Sequence, residues 1–509
     1  MGRKACYTNY FLFFLMISVW QSGQVFSQET KTKTIIIENA DITEIDNTVG
    51  TQRSRLLGNV RFTHQDVFMS CDSAYFYSEL NVLDAFSRVH IWRGDTLDLY
   101  GDFLKYKGDI RLAEVRRNVI LDDKETHLTT ENIDYDLNND IAYYFDGGKI
   151  KNGENTLVSE LGYYYSKDKL FFFKDSVVIT NPDYVMYSDT LKYNTVSKIS
   201  YFLGPTDIIS DSNFIYCENG WYDTDKNISQ FNKNAYLQNK EKTLRGDSIY
   251  YERETGLGKA FMNVRLTDTI QNLILLGNYG KYEEKSGYAL LTDSALMIQV
   301  DKGDSMFVHA DTLKTVSDTI PEKKLIKAYR HVKIFRRDLQ GKCDSLVYAE
   351  ADSVFRFYGE PVLWSEANQL TADFIAIQTR AKGLYKIDMK NAAFIISKED
   401  SSKYNQIKGR DMQGWFRENQ LYLIDVNGNG QTIYYARDKG ELQGVNKAES
   451  ATLKIYLKDR KIERINFVTQ PEATYYPLAK FPPAERKLEN FRWFEEYRPV
   501  NRYDVFRWK

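Results

Sequence analysis

One interval governs this chain. Aligned on an acidic position within an apolar stretch, Asp72, Asp102, Glu131, Glu160, Asp189, Glu218, Asp247, Asn278, Asp311, Asp344 and Asp373 follow one another at steps of 30, 29, 29, 29, 29, 29, 31, 33, 33 and 29 residues. A spacing kept over some three hundred residues is the mark of one supersecondary unit stacked on copies of itself, and such a stack grows by addition. The length of 509 residues therefore does not imply several unrelated domains.

The columns around the acid have a fixed character. Three residues before it stands an apolar side chain such as Leu99, Leu128, Leu157, Met186, Ile215 or Leu244. One before it stands a small residue, for example Cys71, Gly101, Ser159, Cys217 or Cys343. Two after it come Leu104, Ile133, Leu191 and Ile249, and four after it Tyr106, Tyr135, Tyr164, Tyr193, Tyr222 and Tyr251. Alternate residues of a strand share a face, so each set describes one buried face, but the two sets are one residue out of phase. A chain that keeps its apolar side inward through that slip must bend or bulge between them. The acid is thus a corner residue, whose carboxylate is expected to bond nearby backbone N–H groups. Short starts such as Gly58-Asn59-Val60 and Arg117-Asn118-Val119 precede the acids. No stretch of the repeats sustains a helical period, so the fold expected is all-β, an elongated stack of about 29-residue units.

The unit Gly58-Asn59-Val60 with Met69 to Phe76, and Arg117-Asn118-Val119 with Leu128 to Tyr135, resembles the organic-solvent-tolerance family (OstA/LptA-like) of periplasmic lipopolysaccharide-transport proteins. The similarity runs from about Ile35 to Val468. It implies a V-shaped β-jellyroll, open along one side, whose apolar interior carries the acyl chains of lipid A. On that reading the sixteen apolar column residues from Leu99 to Tyr251 named above line the groove. The partners implied are lipopolysaccharide itself and the inner-membrane and outer-membrane transport components, with end-to-end association of chains as a further option. A passive structural or adhesive repeat protein with a filled core would show the same columns.

Segments outside the repeats divide the rest. Residues 1–27 have a basic start (Arg3, Lys4), an apolar run from Tyr10 to Trp20 and a polar exit, as a secretory signal peptide does. The run is too short to span a bilayer, which needs about twenty apolar residues. Cys6 precedes it, so a lipoprotein is not expected, and the mature chain is expected in the periplasm, in contact with the outer membrane. Repeats are assigned to 35–315 and 327–469. The polar, proline-containing stretch at 316–326 is read as a loop or hinge. Residues 470–509, rich in Pro, aromatic residues and Arg, form a tail with one short helix expected at Glu485 to Glu496. Its expected role is to cap the last sheet edge or to dock an outer-membrane partner.

Chemistry is sparse. Cys71, Cys217 and Cys343 all occupy the small column many strands apart, beyond bridging distance, and read as small buried residues. The five histidines lack a paired metal spacing. Asp223 to Asn227 begins like a calcium loop, but Ile228 stands at the glycine position. Gly428-Asn429-Gly430 reads as a hairpin loop. Net charge is −2, with acids and bases interspersed, which gives no footprint for nucleic acid. We expect no enzyme, no cofactor and no metal.

Overall fold

The computed structural model describes residues 34–46, 53–94, 97–123, 126–301, 303–316, 325–380, 383–438, 440–458 and 461–508. The signal-peptide assignment at 1–27 and most of the 316–326 loop fall outside the described residues. Among the described residues, thirty-eight strands belong to one sheet, and long strands pair antiparallel with the next in sequence. Each repeat unit is two such strands, for example Arg53–His64 with Val67–Tyr77, then Val82–Arg93 with Leu97–Lys107. The apolar segments that begin at Ile141 and Leu170 are first halves of the following strands.

Every long strand bends once. Leu57 faces Ser73 and Val60 faces Cys71, so Gly58 and Asn59 oppose the single residue Asp72. The same two-against-one bulge recurs at Asp102, Glu131, Asp189, Asp247, Asn278, Asp311 and Asp344. The two residues facing the acid both have positive φ: 75° and 47° at Gly58 and Asn59, 65° and 50° at Arg117 and Asn118, 55° and 53° at Met262 and Asn263. A left-handed non-glycine residue costs about 1 kcal/mol or more and persists only where surroundings hold it.

The acids supply part of that hold, though through side chains and not through the backbone N–H groups expected. Asn118 donates to Asp102 at 2.7 Å, Asn234 to Glu218 at 2.8 Å, Asn263 to Asp247 at 3.0 Å and Arg88 to Asp72 at 2.9 Å. In each case the donor is the second left-handed residue of the next corner, sixteen positions on. The acid column is therefore a ridge of cross-strand bonds along the fold of the sheet. Gly428 and Asn429, with φ of 78° and 53°, form another corner inside Gln420–Asp438, and not the hairpin loop expected, since Asn427 faces Thr452 and Gly430 faces Ser450.

The ridge divides the sheet into two arms that face each other. Arm 1 holds residues such as 53–57, 73–77 and 103–107; arm 2 holds 60–71 and 89–101. Apolar side chains on their inner faces make one long core. Met306–Val316 and Leu325–Phe335 pair from Phe307 with Phe335 to Val316 with Leu325, so the sheet is continuous on both sides of residues 317–324.

The tail begins on the last edge, where Glu472–Pro477 pairs antiparallel with residues 444–449 of Glu441–Lys458. From there it runs back along the outer face of arm 2, from Phe481 against Tyr435 and Tyr476 to Phe506 against His309. A second core forms there from Phe394, Ile396, Ile433, Tyr435, Val445, Phe481 and Leu488. Buried glutamines of the sheet hold its backbone. Gln406 donates to Arg486 O and accepts from Leu488 N, both at 2.8 Å, and Gln369 bonds Arg492 O and Phe494 N at 2.8 and 2.7 Å. Its prolines leave only three-residue 3-10 turns, at Pro483–Glu485 and Glu495–Tyr497, where a helix was expected.

Candidate apolar groove

All sixteen column residues lie on the inner faces of the arms, but they do not lie in equivalent surroundings. Leu99, Leu104, Tyr106, Leu128, Ile133, Tyr135, Leu157, Tyr164, Met186, Leu191 and Ile249 are buried. Tyr193, Ile215, Tyr222, Leu244 and Tyr251 are half-buried against the same core. The change comes with position along the stack.

Up to about residue 202 the space between the arms is filled. Leu104, Tyr106, Ile133 and Tyr135 are 0% exposed. The mouth between the arm tips is also tied. His64 of arm 2 bonds the Tyr106 hydroxyl of arm 1 at 2.7 Å, and Ile35 N donates to Asn81 Oδ1 at 2.9 Å. Arg111 reaches Asp66, and Arg93 reaches Asp140, across the same gap. Burial would raise Asp140, but Lys167 and Arg93 outweigh it and hold the carboxyl below its usual range. Burial pushes the Tyr106 hydroxyl up to about 12, against the pull of Arg111. Tyr184, at the tip of arm 2, lies beside Tyr193 and Tyr222 of arm 1 and is likewise pushed up to about 12, chiefly by burial.

Among the described residues, the tip bonds from residue 228 to 299 join neighbours on one arm, as from Thr269 to Glu241 O and Gln299 to Gln271 O. The inner wall changes too. Gly280 stands in the column of Leu104, Ile133 and Leu191, and Ala260, which faces Ile249, stands at the position of Val115 and Phe173. Leu266, Leu275 and Met297 are half-buried, and Tyr282 is 50% exposed.

The glycines measure the space. A Cβ placed on Gly162 or Gly148 would fall 2.1 or 2.5 Å from the Tyr144 ring, and one on Gly101 would fall 2.4 Å from Val115. In the first stretch a missing side chain is thus replaced by a neighbour's. On Gly258 the nearest atom would be Tyr251 Cδ2 at 3.9 Å, and on Gly280 Val264 Cγ1 at 3.4 Å. At those two positions a Cβ would make ordinary van der Waals contacts, whereas one on Gly277 of the same wall would fall 2.8 Å from Leu291. The signal was present in the sequence as the switch to Gly and Ala at inner positions of 258–289, but the acid-centred columns alone do not display it.

Among the described residues there is no group of three His, Cys, Asp or Glu side chains arranged to hold a metal. Cys71, Cys217 and Cys343 are buried free thiols, each pushed up to about 12 mainly by burial, and so poor nucleophiles. Asp223 accepts from Asp225 N and Lys226 N in a tight hairpin turn. Among the described residues no helix is long and apolar enough to cross a membrane.

Residues 31–189 and 185–247 match the family model described as OstA-like protein. Residues 31–247 are OstA-like. The OstA-like part covers the tied stretch and enters the open one, ending at the corner acid Asp247, while the same corner geometry continues through Asp344. OstA-like proteins are β-structured and associated with lipopolysaccharide transport in the periplasm, and as a rule are not enzymes. No curated protein matches the chain.

Proposed function

We propose that the chain carries a lipopolysaccharide-type lipid through the periplasm, with the acyl chains of lipid A laid in the trough between about residues 206 and 316. The observation that carries this reading is the looser packing of the inner wall at Gly258 and Gly280, where a Cβ would meet no atom closer than 3.4 Å. Exposing an acyl chain to water costs about 0.8 kcal/mol per methylene. A trough of Leu266, Leu275, Tyr251, Tyr282 and Met297 removes that cost while sugars and phosphates stay in solvent. Of the sixteen column residues, Ile215, Tyr222, Leu244 and Tyr251 then meet lipid, and the others hold the walls. The core and ties of the first stretch make it the rigid mount of the carrier. Lipid reaches the trough from the side, through the mouth, and passes between inner-membrane and outer-membrane components; end-to-end contact between chains would extend the path. Direction comes from energy supplied by those partners.

Purification of the exported chain from a Gram-negative envelope without detergent, followed by solvent extraction and mass spectrometry, tests the proposal. Lipid A species should accompany the native chain in near-stoichiometric amount. They should fall at least tenfold in a Gly258→Leu, Gly280→Leu double variant whose circular dichroism and melting are unchanged. Lipid-free native protein would leave a structural β-repeat as the better reading.

A further inference from the structure

The outer face of arm 1 carries a pattern that the lipid reading does not use. One unbroken register row crosses the sheet along its long axis, from Tyr163 through Phe172, Lys192, Tyr201, Trp221, Gln230 and Tyr250 to Lys259 and Lys281. It continues through Leu290, Lys314, Lys327 and Val347 to Arg356. Between Tyr163 and Arg356 the row thus holds six cations and not one acid, in a chain whose net charge is −2; beyond those ends it reaches Asp134 through Tyr143 on one side and Asp388 through Ala376 on the other. Among the described residues, Lys281 and Arg356 are the members of the row that form ion pairs, with Glu283 and Asp352. Lys192 and Lys259 instead sit over the neighbouring rings of Tyr201 and Tyr250, at 5.6 and 5.3 Å. Every side chain of the row is half-exposed. The tail, which covers the outer face of arm 2, leaves this one uncovered.

We propose that this row binds an extended anionic polysaccharide. Rings present apolar surface to sugar faces, and the lysines between them meet carboxylates or phosphates at intervals. Successive side chains of the row are one strand spacing apart, roughly 4.8 Å, which is close to the advance of one sugar along an extended chain. The row is a single file: Glu252 and Glu283 stand in the adjacent row, toward the tips. Adjacent strands of a sheet are rotated by roughly 20°, so a row crossing this many strands turns too far to lie against a planar membrane. A flexible linear polymer follows it.

The test uses the full chain and a purified oligogalacturonate of about ten sugars, with neutral dextran and poly-dT of matched length as comparisons. Binding is read by Trp fluorescence and by calorimetry, at low and high salt. The expected result is oligogalacturonate binding that weakens with salt and falls at least tenfold in Trp221→Ala, Lys259→Gln. A second pair, Lys192→Gln with Lys314→Gln, removes charge alone and should weaken binding several-fold with no change in melting. Lipid content should be unchanged in both, which separates this site from the trough. Absence of oligogalacturonate binding, or binding untouched by either pair, overturns the proposal. Preferential binding of poly-dT by the same residues also overturns it, in favour of a nucleic-acid surface.

Discussion

The tied stretch before residue 202 and the stretch from 206 to 316, proposed above as the trough, are built on one plan and differ in how tightly their inner faces are packed. Corners, left-handed pairs and antiparallel register are the same in both. What differs is the burial of side chains projecting inward, as between Leu104, Tyr106 and Tyr135, which are fully buried, and Leu266, Leu275 and Met297, which are half-buried. Backbone geometry therefore sets the arms, while side-chain size at a few inner positions decides how closely the space between them is filled. A fold whose architecture resides in a ridge of bulges can loosen its packing in one segment without losing its register, because the bonds that define the corner lie on the ridge and not between the arms.

The sharpest way to break the comparison is truncation on each side of it. Leu104→Ala, at a fully buried site, should cost about 2–5 kcal/mol, whereas Leu275→Ala on the half-buried trough wall should cost about 1 kcal/mol or less by area. Urea denaturation of the two variants reads the difference. Filling gives the reverse contrast. Gly101→Leu drives a side chain into Val115 and should destabilise by roughly 1–3 kcal/mol; Gly280→Leu, on the more loosely packed wall, should melt within a degree or two of the parent. Equal losses at both positions would mean that the trough is not open.

The ties give a pH signature. Asp140 is held below its usual range in the folded state, so its contribution is present above the unfolded value of about 3.9 and is lost as pH falls through the folded one. Hydrogen exchange at the tips near Asp66, Arg93 and Arg111 should accelerate below about pH 4, while exchange at 266–275 should change little. At the other end of the scale, Tyr106 and Tyr144 are pushed up to about 12, mainly by burial, so the unfolded chain loses these protons first and stability falls as pH rises above about 10. Burial also raises Tyr222 and Tyr251 of the trough. The smallest expected effect is in an absorbance titration, where Tyr106→Phe should remove a phenol that ionises only at about 12, later than ordinary phenols near 10.

Much of the fold was legible before any coordinates. The 29-residue interval gave the stack, the phase slip gave the bend, and the acid marked its place. The carboxylate partners were not legible, because Asn118, Asn234 and Asn263 become neighbours of Asp102, Glu218 and Asp247 only once the strands pair. The path of the tail along the outer face of arm 2 was not legible for a related reason. Gln369 and Gln406 look like ordinary polar strand residues until the outer row that also carries Trp364 and Ile396 is assembled into one face.

By itself, then, the sequence determined the strand, the corner and the repeat, since each depends on residues within one unit and on local backbone sterics. Which inner residues are fully buried, which tips are tied and where the tail lies were decided only by tertiary structure. Those outcomes depend on volumes and bonding groups contributed by strands many units apart, and no local pattern carries that sum.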